Sequence, residues 1–155
     1  MWGVPDTPEG RFEMIVLHLV LALRRVAREE ENGRALGQAM TEAFVVDLDD
    51  TLREMTVGDL AVPRHVKRAV AVVQDRYGRY GAALDGPQGE GLLNAEVEAR
   101  LAGLRGAEGL DAARICAYIR EADRALELQT GAHILGGHLA WPELQAGPSD
   151  RTTAG

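Results

Sequence analysis

Between Met14 and Leu23 the chain carries ten residues that are apolar except for His18. Wound at about 100° per residue, Ile15, Val16, Leu17, Leu19, Val20, Leu21 and Leu23 cover nearly every side of a helix, so that helix has to be enclosed by others. A bilayer span needs roughly 18 to 20 apolar residues, so this run predicts a buried central helix and no transmembrane one. The chain is long enough to supply the enclosure: 155 residues make one core that removes about two thirds of the unfolded surface from water. Hydrophobic residues at 46% and charged residues at 26% are the proportions of a folded globular chain.

Helical signals account for most of the remaining sequence. In Val4-Pro5-Asp6-Thr7-Pro8-Glu9, Thr7 can cap a helix, Pro8 has no amide hydrogen to waste at its first position, and Glu9 favours the positive dipole end. That helix is expected to reach about Glu31, with Asn32 and Gly33 as the break. A second, from about Arg34 to Met55, carries Leu36, Ala39, Met40 and Ala43 on one stripe and Phe44, Leu48, Leu52 and Met55 on another. Residues 56–63 read as an ordered connection with Val57, Leu60 and Val62 turned inward. The third helix, Pro63 to about Leu84, has the clearest pattern: Val66, Ala69, Val70, Val73, Tyr77, Tyr80 and Leu84 share one arc, and the basic residues lie opposite. After a glycine-rich loop at 85–91, helices are expected over Leu92 to Leu104 and Asp111 to Gln129. Thr130-Gly131 closes the last, and a short apolar piece follows to Trp141-Pro142. No strand periodicity and no internal repeat emerge. The expected fold class is all-α: a compact bundle of about five main helices plus a short C-terminal helical segment, over residues 3–142, with a disordered tail at 147–155.

Composition narrows the chemistry. A net charge of -7 and a pI near 5.1 argue against a general nucleic-acid binder, so DNA is not an expected partner. The single cysteine, Cys116, excludes an internal disulfide and a multi-thiolate zinc site, and reads as a small buried apolar residue. The start of the chain lacks the positive region and cleavage pattern of a secretory signal, giving a cytoplasmic expectation. Asp47, Asp50 and Glu54, beside Asp49, fall on one helix face, where carboxylates can hold a divalent cation or act as acid and base with His18. The more ordinary roles are ion pairs to Arg24, Arg25 and Arg28 for the acids and a hydrogen-bonded core position for His18, so a carboxylate metal enzyme is the low-weight alternative. His133 and His138, about 140° apart on a helix, present no joint metal face. Phosphate loops, nucleophile elbows, zinc-protease helices and calcium loops have no counterpart in the sequence. The expectation is a non-catalytic chain without metal or cofactor.

Charge is unevenly distributed. Residues 57–84 carry five cations, Arg64, Lys67, Arg68, Arg76 and Arg79, against two acids, while the segments before and after each sum to -5. Such a ridge suits ribosomal RNA or anionic lipid headgroups, with each cation near a membrane contributing on the order of 1 kcal/mol. It carries no interleaved aromatics for base stacking. A peripheral ribosome- or membrane-surface adaptor is therefore the binding-module alternative, and an ordinary solvated face is the bland reading.

A longer set of residues resembles a known family. Gly3-Val4-Pro5-Asp6-Thr7, Gly10-Arg11-Phe12-Glu13-Met14, Leu17-His18, Arg24-Arg25, Phe44, Asp47, Asp49 and the run Leu52-Arg53-Glu54-Met55-Thr56-Val57-Gly58-Asp59-Leu60-Ala61-Val62-Pro63 are similar to the ubiquinol-cytochrome c chaperone family. The likeness is strong over about Gly3 to Leu84 and rests on helical pattern beyond. It implies an all-helical assembly factor for the cytochrome bc1 complex, respiratory complex III. In mitochondria such a factor binds newly made cytochrome b, with a small partner chaperone, near the ribosome exit. The client is then cytochrome b or another bc1 subunit, and the expected location is cytoplasmic, with peripheral attachment at the inner membrane. No catalytic residues and no cofactor come with the family. Pro5, Asp6, Thr7, Gly10, Arg11, Phe12, His18, Asp47, Asp49, Arg53, Glu54, Gly58, Asp59 and Pro63 carry over as structural or contact positions. Family members extend ahead of the Val-Pro-Asp-Thr segment, so an apolar groove that the extension covers is expected here as an exposed patch.

Overall fold

The computed structural model describes residues 2–54 and 62–143, with the backbone alone at 49–54 and 62–63. Helices α1 (Pro8–Val26), α2 (Glu30–Glu54), α3 (Val62–Asp85), α4 (Gly89–Leu101), α5 (Ala112–Glu127) and the short α6 (Gly131–Leu135) follow one another, with a 3-10 turn at Ala27–Glu29. No strand occurs among the described residues. Five long helices and one short C-terminal helix are what the sequence predicts. The expected tail at 147–155 and the inward residues Val57 and Leu60 lie outside the described residues.

Thr7 caps α1 by accepting the Gly10 N–H at 3.1 Å, with Pro8 in the first turn. Gly10 is required there, because a Cβ would stand 2.1 Å from the Pro5 carbonyl oxygen. The end of α1 differs from expectation. The break comes at Ala27–Glu29, with Glu30 at φ 50°, and Asn32 and Gly33 lie inside α2. Gly33 serves proximity: a Cβ on it would meet the Val26 carbonyl oxygen at 1.8 Å. Its missing side chain lets the first turn of α2 lie directly on the last turn of α1.

Cross-helix contacts fix the directions. Phe12 meets Phe44 ring to ring at 6.4 Å, and Gly37 faces Leu23 and Val26, so α2 runs antiparallel to α1. Arg76 reaches Glu13 and Arg24 reaches Asp85, which makes α3 parallel to α1. Pairs from Arg79 to Glu96 and Arg100 to Asp75 set α4 antiparallel to α3. Bonds from His18 to Tyr118 and Arg25 to the Leu126 carbonyl set α5 parallel to α1. Helix α1 touches α2, α3, α4 and α5. Its Val16, Leu17, Val20 and Leu21 pack with Val73, Tyr80, Leu93, Val97, Ile115 and Ile119 in the core.

Helix boundaries shift in three further places. Helix α4 begins at Gly89 and stops at Leu101, earlier than expected at both ends. Asp111 is the cap of α5, accepting the Arg114 N–H at 3.0 Å. Thr130 opens α6 by accepting the His133 N–H. The buried stripe of α3 is also rotated. Ala69, Val73, Arg76, Tyr80 and Ala83 face inward, while Tyr77, placed on the apolar arc by periodicity, is 38% exposed.

Candidate interaction surfaces

The five cations of α3 separate into two groups. Arg64, Lys67 and Arg68 are exposed, and no described residue forms an ion pair with them. The first turn of α3 holds no acid. Arg76 does not stand on that face: it is 6% exposed and wedged between α1 and α4. Its Nη2 donates to Glu13 Oε1 at 2.9 Å and its Nη1 to Asp75 Oδ2 at 2.8 Å. Arg79 is half exposed but engaged, donating to Asp75 at 2.9 Å and lying 3.7 Å from Glu96. Arg100 completes the cluster by donating to Glu96 at 2.8 Å. The bond from Arg79 holds the Asp75 carboxyl below the usual carboxylate range. Burial, then the Glu13 and Glu96 carboxylates, push the Tyr80 phenol up. A carboxylate opposite each of these cations makes the later half of α3 a cross-link between helices.

The last turn of α1 and the 3-10 turn after it make the second charged cluster. Among the described residues, Arg24, Arg25 and Arg28 pair with groups other than Asp47. Arg24 donates to Asp85 at 2.9 Å and to Asp123 at 3.4 Å. Arg28 pairs with Glu127. Buried Arg25 donates to the Leu126 carbonyl at 2.8 Å and to the Gln129 carbonyl at 2.7 Å. These carbonyls belong to the C-terminal end of α5, where the helix dipole favours a cation. Two basic residues in the last turn of α1 and a third in the 3-10 turn after it were the available signal, but, apart from Glu29, their partners come from elements 61 to 104 positions away.

Asp47 is exposed on α2, whereas the side chains of Asp49, Asp50, Arg53, Glu54 and Pro63, together with Gly58 and Asp59, lie outside the described residues. Among the described residues no group of three or more His, Cys, Asp or Glu side chains is arranged to hold a metal ion. His18 is half-buried and hydrogen-bonded, as its core reading predicts. Its Nδ1 lies 2.7 Å from the Met14 carbonyl, which can only accept, so Nδ1 carries the proton. In the neutral ring Nε2 then accepts the Tyr118 hydroxyl at 2.8 Å. His133 and His138 are brought together after all, their rings stacked at 5.5 Å. A continuing helix would hold them apart, but α6 ends at Leu135 and Gly137, at φ 82°, turns the chain back. Cys116 is buried and donates to Asn94 at 3.1 Å, and burial pushes its thiol up to about 11. It stays protonated and unreactive at neutral pH.

The other signature positions at the start of the chain are placed as follows. Pro5 is buried, Thr7 caps α1, Arg11 donates to Asp6 at 2.6 Å on the surface, and Phe12 packs on Phe44. A polar cleft of about 380 Å³ opens between the α3–α4 turn and α5. Asp85 and Asp123 in its wall are held by Arg24 and Glu127 by Arg28, while Arg120 and Arg124 bring the opposite sign. Its mixed charge selects neither an anion nor a cation. No helix among the described residues is long and apolar enough to cross a membrane.

The most specific feature lies at the C-terminal end. Residues 138–143 leave the helical pattern and return over the bundle. Leu139 and Trp141 pack against the core, and Trp141 meets His18 edge-on at 4.9 Å. Trp2 approaches the same aromatic group, 5.5 Å from Tyr118. The sequence marked this segment only as a short apolar piece.

Residues 1–141 match the model of a family described as ubiquinol-cytochrome C chaperone. The chain is also similar to the crystal structure of the Cbp3 homolog from Brucella abortus, with TM-score 0.78 and 32% identity, covering 92% of this chain and 77% of that one. No curated protein matches the chain.

Proposed function

Because the chain belongs to the ubiquinol-cytochrome c chaperone family, we propose that it assists assembly of the cytochrome bc1 complex by holding newly made cytochrome b or another bc1 subunit, without a chemical step of its own. The match over residues 1–141 carries this reading. The burial and pairing of the groups with catalytic potential support it. His18 is locked between a carbonyl and a phenol, and Cys116 is protonated in the core. Binding would exchange water for apolar contact at roughly 25 cal/mol per Å², with ordering costs reducing the net affinity.

Deleting the gene in a bacterium that makes the bc1 complex is expected to lower cytochrome b accumulation and quinol oxidation, both restored by the intact gene. Normal levels of both in the deletion strain would sink the assembly role.

The exposed trio Arg64, Lys67 and Arg68 favours a second element, contact with an anionic surface of the ribosome or the membrane. Their position at the positive end of α3, with no acid in its first turn, opposes the helix dipole and does nothing for helix stability. Reversing Lys67 and Arg68 to Glu is expected to weaken cosedimentation with ribosomes or anionic vesicles, as is raised salt. Sedimentation that ignores both changes returns these residues to a solvated face.

A further inference from the structure

At Ala140 the backbone of residues 138–143 is held by a side chain. Gln129 Nε2 donates to the Ala140 carbonyl and Gln129 Oε1 accepts the Ala140 N–H, each at 2.8 Å. A strand residue exchanges this same pair of bonds with a directly opposite neighbour; here a carboxamide supplies one side of it. Nothing in the pair reads the Ala140 side chain. Gln129 is itself anchored, with Nε2 also donating to the Ala125 carbonyl at 3.0 Å and its own carbonyl accepting Arg25 Nη2 at 2.7 Å. On either side of the clamped residue, half-buried Leu139 and Trp141 occupy apolar seats against the core. The Trp141 seat is walled by His18, which the Met14 carbonyl and the Tyr118 hydroxyl hold in place.

A backbone clamp flanked by two apolar seats is the arrangement that recognises a peptide by its main chain and a few side chains. We propose that this is a peptide-binding groove whose resident occupant is the strap of residues 138–143. An extended apolar segment of the client, with an aromatic residue next to the clamped position, displaces the strap and takes over both bonds from Gln129. This rests on the holding function proposed above and assigns it a place. Exchange of one backbone for another leaves the hydrogen-bond count unchanged, so the apolar contacts decide which segment is bound. In the absence of client the strap keeps the aromatic seat from standing open as an exposed apolar patch.

The test uses the full-length chain and a fluorescein-labelled synthetic peptide of residues 137–143, followed by fluorescence anisotropy. Trp141→Ala in the chain loosens the resident strap and is expected to tighten peptide binding about tenfold. Methylating the peptide's amide nitrogen at the position of Ala140 removes one bond without touching the protein, and should weaken binding about five- to tenfold. Adding Gln129→Ala to the Trp141→Ala chain should do at least the same. Circular dichroism confirms that each variant folds, and Ala140→Pro, which removes the strap's own N–H, replaces Trp141→Ala if that chain does not. Absence of saturable binding to a folded strap-loosened variant, or binding indifferent to the methyl group, would overturn the groove. Peptide binding reports on the groove alone, whereas bc1 assembly in the deletion strain reports on the proposed function, so the two can fail separately.

Discussion

The two halves of α3 carry the same chemistry and use it in opposite ways. Arg64, Lys67 and Arg68 stand in solvent, while Arg76, only two turns further along, is buried among carboxylates from α1, α3 and α4. The helix surface does not distinguish them. What lies opposite does: Glu13 of α1 and Glu96 of α4 face the later half, and an arginine there bridges helices that leucine would merely pack. The apolar arc read from the sequence was therefore turned slightly about the helix axis, leaving Tyr77 partly in water and Arg76 in the core.

The contrast is sharpest in stability. Arg76→Ala leaves Glu13 without its partner at a largely dry site and should cost about 3–5 kcal/mol, visible as a lower urea midpoint. A loss below about 1 kcal/mol would make Arg76 no different from the exposed trio.

Acid offers an intermediate effect. Asp75 and Asp85 are held below their ordinary value of 3.8, by Arg79 and by Arg24 respectively. A depressed folded value means that the stabilisation is complete above the unfolded value and is lost as pH falls through the folded one. Both carboxylates are largely solvated, so each contributes only about 0.5–1 kcal/mol. Asp75→Asn should therefore flatten the fall in melting temperature between about pH 5 and pH 2 relative to the parent chain. An unchanged slope would show that these surface members of the cluster add nothing to the buried pair.

The smallest effect is expected at the other end of the helix. Arg68→Ala should change stability by less than about 0.5 kcal/mol, or raise it slightly by relieving repulsion from the helix dipole. A loss comparable to that of Arg76→Ala would place Arg68 in an internal pair and remove the basis for an anionic contact.

Much of the fold was legible because the relevant signals are local. Thr7, Pro8 and Glu9 start α1, and a run apolar on all sides makes it central. Cys116 and His18 took their expected core roles for a similar reason, since each sits on an inward face of its own helix. The misplacements have a common origin. Gly33 reads as a breaker, yet it lies within α2 because a carbonyl of α1 needs the room; Thr130 reads as an ending but caps the next helix. Nothing local marked Asp85, Asp123 and Glu127 as partners of Arg24 and Arg28, or Gln129 as a clamp.

The sequence by itself determined the number of long helices, the enclosed position of α1 and the family to which the chain belongs, since periodicity, capping and family residues are properties of the chain read in order. Only the tertiary structure decided which cations are spent inside the protein, where α1 turns into α2 and that the C-terminal strap lies clamped with Trp141 against His18. Those outcomes depend on pairs of groups far apart in sequence, and the strength of a charge or a hydrogen bond is set by the partner and dielectric that folding brings to it.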